Sequence, residues 1–169
     1  VDGCAHERGR ADPFAELHTA DVDAIEHWTW PNEDDAWRPL TEPQLVALAQ
    51  LVALLIEDAE RGQLSIARRR HAASLAALVG VELRHATLEV DGRSVQLWVV
   101  SEPADDRRGR GTYVIRLGRL PRADSELLLQ APHDRFDKRT GALALRLLLE
   151  GDAGSVRAVF INSAHRYRQ

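Results

Sequence analysis

The sequence is poor in the residues that build disulfides, thiolate metal sites and membrane spans. Of its 169 residues one is a cysteine, Cys4, and none is a methionine. A single cysteine excludes an intrachain disulfide framework and an intrachain thiolate metal site. The longest apolar run, residues 45–56, is interrupted by Gln50 and is shorter than the roughly 18 residues that a spanning helix needs. We therefore predict no membrane span.

An excess of positive charge is also lacking. The formal net charge is −4, and Lys138 is the only lysine among 22 basic residues. The chain therefore does not carry the basic footprint of a nucleic-acid-binding protein, and we predict no nucleic-acid partner. Because the chain starts at Val1 and contains no methionine, we expect the N-terminus to be processed, which suggests an extracytoplasmic location.

Residues 1–80 are predicted to form an N-terminal arm, a tryptophan-rich loop and a helical hairpin. Apolar residues between Pro13 and Trp28 favour one or two short helices. Trp28, Trp30 and Trp37 lie in a segment whose prolines indicate a loop. They either clamp this loop onto the core or form an aromatic platform for a ligand, and we favour the clamp.

The helical hairpin has clear start and stop signals. Thr41 and Gln44 match a capping box at the start of the first helix, and Gly62 ends it. A second helix runs from about residue 64 to residue 79 and ends at Gly80. The apolar stripe of the first helix that we expect to face the core is Leu45, Leu48, Leu51, Val52, Leu55 and Ile56.

Residues 81–169 are predicted to form an α/β half-domain. Alternation over 81–90, the dipeptide Asp91-Gly92 and the apolar run 94–100 predict a β-hairpin, and 112–117 predict a third strand. The charged segment 101–111 lies between them. Its glycines and arginines allow a phosphate cradle, but their spacing fits no phosphate-loop pattern, and a surface loop is favoured.

The C-terminal stretch organises the chain. An apolar strand at 126–131, a helix at 142–150 and an apolar strand at 156–161 predict a right-handed βαβ unit. The fold class is therefore α/β, with a mixed sheet and this C-terminal unit preceded by the N-terminal helical hairpin. Ligands of open α/β sheets bind at the carboxyl ends of the strands, so we place the candidate site at this edge.

Two histidines and one aspartate follow these strands. His133 and Asp137 come after the first strand, and His165 comes after the second. Two neutral imidazoles and a carboxylate are the ligand set of a catalytic zinc that keeps a position open for water. The alternative is structural: Asp137 and Thr140 cap the helix, His133 packs beneath it and His165 belongs to the chain end.

Other polar residues near the same strand ends suit hydrolysis of an amide or ester. Arg135 and Arg166 are candidates for binding a substrate carboxylate through two hydrogen bonds. Asn162 or Tyr167 is a candidate donor to a developing oxyanion.

The residues Ala131-Pro132-His133-x-x-Phe136-Asp137-x-x-Thr140-Gly141, followed by 160–167, carry a family resemblance. Together they resemble the opening half of a zinc-dependent amidohydrolase or carboxypeptidase-like domain. The group is the phosphorylase/hydrolase-like one, which includes N-formylglutamate amidohydrolases and poly-γ-glutamate hydrolases. The resemblance implies that His133 is a first metal ligand, that Asp137 is a ligand or orients one, and that His165 neighbours the site.

The same resemblance implies a further essential histidine and a catalytic acid downstream, which this sequence does not contain. We therefore predict a zinc-dependent hydrolase of an amide or peptide-like bond that is complete only with further sequence or a companion chain. Its substrate is a small or peptide-like molecule with a carboxylate. The alternative function is a non-catalytic α/β binding or assembly domain.

Overall fold

The structure is a computed structural model that describes residues 16–18, 38–90, 92–103, 105–106, 108–120, 126–131, 140–150 and 155–162. Within these ranges the chain forms six strands and three helices. In chain order they are β1 (Glu16–His18), α1 (Glu42–Ala59), α2 (Ile66–Val79), β2 (Glu82–Val90), β3 (Arg93–Ser101), β4 (Thr112–Arg116), β5 (Leu127–Ala131), α3 (Thr140–Glu150) and β6 (Val156–Ile161).

All six described strands join one mixed sheet in the order β1-β2-β3-β4-β6-β5. The pairs from β2 through β3 and β4 to β6 are antiparallel, whereas β5 and β6 are parallel. Because α3 lies between β5 and β6 in the chain, these three elements form the predicted βαβ unit. The α/β class, the mixed sheet and the preceding helical hairpin are confirmed.

The helix predicted between Pro13 and Trp28 is wrong at Glu16–His18, which is the strand β1. It pairs parallel to β2, with Glu16 opposite His85 and His18 opposite Thr87. Helical spacing of a few apolar residues is a weak signal in a short segment. Backbone hydrogen bonding to a strand elsewhere in the fold overrides it.

Helices α1 and α2 form an antiparallel hairpin. At one end Gln44 Nε2 donates to the Leu78 carbonyl oxygen at 3.3 Å, and near the other end Arg68 Nη2 donates to Glu57 Oε2 at 3.0 Å. The Thr41 N–H donates to Gln44 Oε1 at 3.0 Å, as the predicted capping box requires. Gly80 ends α2 with a φ of 77°, a conformation that glycine adopts without strain.

The sheet has one apolar core on each face. Along β3, Trp98 and Val100 face the hairpin and Leu97 and Val99 face α3, as the period-two geometry of a strand requires. The hairpin core also contains Leu51, Leu55, Val79, Leu83 and Ile115. The α3 core also contains Val114, Leu145, Leu148, Val159 and Ile161. The fold therefore has three layers, with the sheet in the middle.

The predicted stripe of α1 is correct for Leu48, Leu51 and Leu55, which are buried, and wrong for Leu45, which is 54% exposed. Leu45 lies in the first turn of α1. None of the helices in the described ranges has both the length and the apolarity needed to cross a bilayer.

Candidate functional site

A cavity of about 560 Å³ lies at the carboxyl ends of β5 and β6, on the side of the sheet that carries the helical hairpin. Leu45 and Leu48 of α1 and residues 38–40 form one wall. The opposite wall is made by strand residues and by the connection before β4. The described residues of this second wall are Gly109, Arg110, Gly111, Tyr113, Gln130, Phe160, Ile161 and Asn162.

Strand register brings the cavity residues of three strands together. Phe160 of β6 lies opposite Gln130 of β5 and opposite Tyr113 of β4. The Tyr113 and Phe160 rings pack edge to face, with centroids 5.1 Å apart. One residue beyond β6, the Asn162 N–H donates to the Ala131 carbonyl oxygen at 3.0 Å and extends the parallel ladder to the cavity edge. The strand ends that the sequence marked as a ligand site therefore do border a cavity.

A buried carboxylate organises the connection between β3 and β4, which we call the Glu102 loop (residues 102–111). Glu102 is 5% exposed. Its Oε1 accepts the Arg108 N–H at 2.5 Å and its Oε2 accepts the Gly109 N–H at 3.2 Å. The Arg108 carbonyl oxygen in turn accepts the Arg38 N–H at 3.1 Å, which joins the loop to the opposite cavity wall.

Arg110 is the buried cation of the Glu102 loop. Its side chain is 7% exposed, and its Nη1 donates to the Gly80 carbonyl oxygen at 3.1 Å. Nη1 also lies 3.8 Å from Glu102 Oε1 and 4.0 Å from Asp106 Oδ2, which are ion-pair distances rather than hydrogen bonds. Nε has no acceptor in the described structure. The interpretation of this segment as a surface loop is therefore wrong for Glu102 and Arg110.

Gly111 brings the end of the loop against β6. Its φ is 84°, and a Cβ at this position would lie 3.0 Å from the Ile161 carbonyl oxygen. Only glycine fits such a close approach of two backbones in this conformation. The Gly111 contact therefore fixes one side of the cavity to the carboxyl end of β6.

Tyr113 supports the loop from inside the cavity wall. Its hydroxyl donates to the Arg110 carbonyl oxygen at 3.1 Å. Burial and, to a smaller extent, the negative charge of Glu102 raise the pKa of Tyr113 above its usual value of 10.0. Both causes disfavour the phenolate, so the hydroxyl stays a donor near neutral pH.

Of the residues predicted to form the site, Asn162 is found at the cavity edge, where it is exposed. The predicted metal ligands His133, Asp137 and His165 lie outside the described residues. So do Arg135 and Arg166, and also the three tryptophans of the loop, Trp28, Trp30 and Trp37. Within the described ranges no group of three or more His, Cys, Asp or Glu residues is placed to hold a metal ion.

Sequence reasoning missed Arg38, Tyr113 and Gln130 as cavity residues, and it gave Arg110 a surface position. The only local signal was the Gly109-Arg110-Gly111 tripeptide, in which both glycines beside Arg110 have a positive φ. Nothing in the neighbouring sequence shows that this tripeptide meets Gly80 at the end of α2 and Ile161 of β6. That meeting depends on contacts between segments far apart in the chain.

A second cavity, of about 660 Å³, lies at the turn between α1 and α2. It is lined by Asp58, Arg61 and Arg68, among others. Asp58 pairs with Arg61 at 2.7 Å and also with Arg68, so these charges already satisfy one another. We therefore place the candidate site in the first cavity, at the strand ends.

Comparisons of this chain with protein-family models, with curated proteins and with solved structures found no match.

Proposed function

We propose that this chain is a zinc-dependent hydrolase of an amide or peptide-like bond, with its reaction centre at the carboxyl ends of β5 and β6. One observation carries the proposal. β5 and β6 are adjacent and parallel, Ala131 lies opposite Ile161, and both strand ends border the 560 Å³ cavity. Crevices at the carboxyl ends of parallel strands are the usual ligand sites of α/β sheets.

The candidate ligands follow these strand ends in the sequence. His133 comes two residues after Ala131 and His165 comes four residues after Ile161, with Asp137 between them in the chain. His133, Asp137 and His165 would hold the zinc, since two imidazoles and a carboxylate are a ligand set of catalytic zinc sites. When bound, it would supply an activated water with a pKa of about 7 and would polarise the substrate carbonyl.

The remaining roles fall to the polar residues around the strand ends. In this proposal Asn162, at the cavity edge, donates to the oxyanion that forms when water attacks the carbonyl carbon. Arg135 and Arg166 bind the carboxylate of the substrate. A general acid comes from further sequence or from a companion chain.

Metal analysis tests the proposal directly. Protein purified in the presence of zinc is expected to retain about one zinc per chain after dialysis. His133→Ala and His165→Ala should each lose it, whereas His71→Ala should keep it, because His71 is exposed on α2. Zinc content is measured by mass spectrometry and folding by circular dichroism. Wild-type protein without zinc, or both variants retaining it, would show that the proposal is wrong.

The alternative, a non-catalytic assembly domain, is favoured by one specific observation. β5 is at the end of the described strand order and pairs there with β6 alone. Its Leu127 and Leu128 are 47% and 53% exposed. Apolar edge strands without a partner strand are sites of association between chains.

Light scattering after size exclusion tests this alternative. If β5 mediates association, Leu128→Lys reduces the molar mass of the purified protein, because a charge on the edge prevents strand pairing. Leu78→Lys is the matched control, since Leu78 is 54% exposed but lies on α2. A monomeric wild-type protein, or equal effects of the two substitutions, would exclude assembly through β5.

A further inference from the structure

The sign of the charges around the cavity indicates the class of its ligand. Two arginines, Arg38 and Arg110, line it, and no Asp or Glu does so among the described residues. Glu102 and Asp106 are near the Arg110 guanidinium but are not part of the lining. These two carboxylates offset part of the Arg110 charge, so the attraction for an anion rests on Arg38 and on the N–H donors of Arg110.

The hydrogen-bonding capacity of Arg110 is largely unused. A guanidinium group has five N–H donors. In the described structure one hydrogen bond leaves this group, from Nη1 to the Gly80 carbonyl oxygen, although the side chain is only 7% exposed. The Nε atom has no acceptor. Buried donors without acceptors are unfavourable, and a bound anion is one explanation for them in a native fold.

The rest of the cavity is suited to an apolar group. Pro39, Leu40, Leu45, Leu48 and Phe160 contribute to its lining. The volume of about 560 Å³ lies within the range of small-molecule sites, which runs from about 300 to 1,000 Å³. A ligand that fits has an apolar body and one anionic end. A carboxylate suits this site better than a phosphate, because desolvating a single charge in an apolar cavity costs less than desolvating two.

We propose that Arg110 and Arg38 form a carboxylate-binding site for a small organic acid whose apolar body lies against α1 and Phe160. The planar guanidinium of Arg110 matches a carboxylate through two parallel hydrogen bonds. Arg38, which is exposed, adds charge at the rim. This carboxylate contact is additional to the one that the proposed hydrolase assigns to Arg135 and Arg166, and binding of the acid does not require a metal.

Calorimetric titration of the whole chain with hexanoate tests the site. Hexanamide is the neutral probe of equal length, and inorganic phosphate is the anion without an apolar body. Each titration is made with and without a metal chelator. The proposal predicts saturable binding of hexanoate that persists in chelator, with weaker binding of hexanamide and of phosphate. This result would stand even if zinc analysis gave no metal, and zinc binding alone would not produce it.

Three variants assign the binding to the two arginines. Arg110→Lys keeps the charge but loses the paired donors, and it should raise the Kd for hexanoate about tenfold. Arg38→Ala should raise it about twofold to fivefold, since exposed ion pairs are weak. Arg146→Ala removes an equal charge from an exposed position of α3 and should leave the Kd unchanged.

The proposal is overturned by absence of saturable hexanoate binding, by equal binding of hexanamide, or by stronger binding of phosphate. It is also overturned if Arg38→Ala binds hexanoate like Arg146→Ala. Because Arg110 contacts Gly80, circular dichroism must first show that the Arg110→Lys variant is folded. If it is not folded, the Arg38 pair and the comparison of hexanoate with hexanamide decide the question.

Discussion

Replacing Gly111 with alanine should destabilise the protein through two separate effects at the cavity. The residue has a φ of 84°, and an alanine Cβ would lie 3.0 Å from the Ile161 carbonyl oxygen at the end of β6. The left-handed conformation costs an L-residue about 1–2 kcal/mol. The close contact is with backbone, which cannot move aside as a flexible side chain can, and overpacking of this kind costs about 1–3 kcal/mol.

We expect Gly111→Ala to lower the free energy of unfolding by about 2–4 kcal/mol. The two costs add to slightly more than this, but alanine also restricts the unfolded chain, and this restriction offsets about 0.4–1 kcal/mol of the destabilisation. For a chain of 169 residues, each kcal/mol shifts Tm by about 2–4 °C. The expected decrease in Tm is therefore on the order of 10 °C.

Urea unfolding of matched glycine variants separates the two effects. Gly118 has a φ of 81° and Gly92 a φ of 72°, and a Cβ at either position would meet nothing within 4 Å. Gly118→Ala and Gly92→Ala therefore report the conformational cost alone, and Gly111→Ala should exceed both by at least about 1 kcal/mol. If all three variants are equally stable, the Glu102 loop does not pack on β6, and the described position of this cavity wall is wrong.

Three further substitutions test the loop, its pH dependence and the α3 layer. Glu102→Gln removes the buried charge near Arg110 and one hydrogen-bond acceptor for the loop, so the free energy of unfolding in urea should fall by about 2–4 kcal/mol. The control Glu89→Gln, at an exposed position, should change it by no more than about 0.5 kcal/mol. The raised pKa of Tyr113 contributes stability that is complete below pH 10 and is lost as the pH rises through the folded-state pKa. Tyr113→Phe should therefore flatten the fall in unfolding free energy above pH 10, and an unchanged slope would contradict the assignment. Leu148→Ala, at a fully buried position, should lower the free energy of unfolding by about 2–5 kcal/mol. Leu147→Ala is the control and should lower it clearly less, because Leu147 is 47% exposed. Equal losses in the two variants would mean that α3 does not pack on the sheet.

Much of the fold was predictable because its signals are local. The capping residues Thr41 and Gln44, the stop at Gly80 and the hairpin turn at Gly92 each act on backbone groups a few residues away. The strand at 156–161 was predicted with its observed bounds, since a short run that is apolar except for Arg157 and lies between turn residues favours a buried strand.

The short strand β1 was not predictable in this way. Glu16–His18 carries no strong strand pattern, and its conformation depends on pairing with β2 some seventy residues later. For Leu45 the sequence pattern predicted burial, but the tertiary structure leaves the side chain exposed. Its spacing on α1 matches the buried stripe, but the cavity beside it leaves it 54% exposed.

The sequence placed a candidate site at strand ends where the structure has a cavity, but it did not predict most of the described residues that line this cavity. Parallel β5 and β6 ending side by side follow from the strand–helix–strand order, and this is why the sequence pointed to that edge. The assignments of His133, Asp137 and His165 stay predictions. Arg38, Arg110 and Tyr113 come from three other segments, and their approach to the strand ends is a property of the assembled layers.

The sequence by itself determined the order of helices and strands, because caps, turns and apolar periodicity act over a few residues of backbone. Only the tertiary structure decided that Glu102 is buried and that Arg110 enters a cavity wall. Burial of a charged side chain depends on acceptors and donors supplied by distant segments, here the Gly80 carbonyl oxygen and the backbone around Gly109. Such partners are set by packing and leave no pattern in the residues next to the charge.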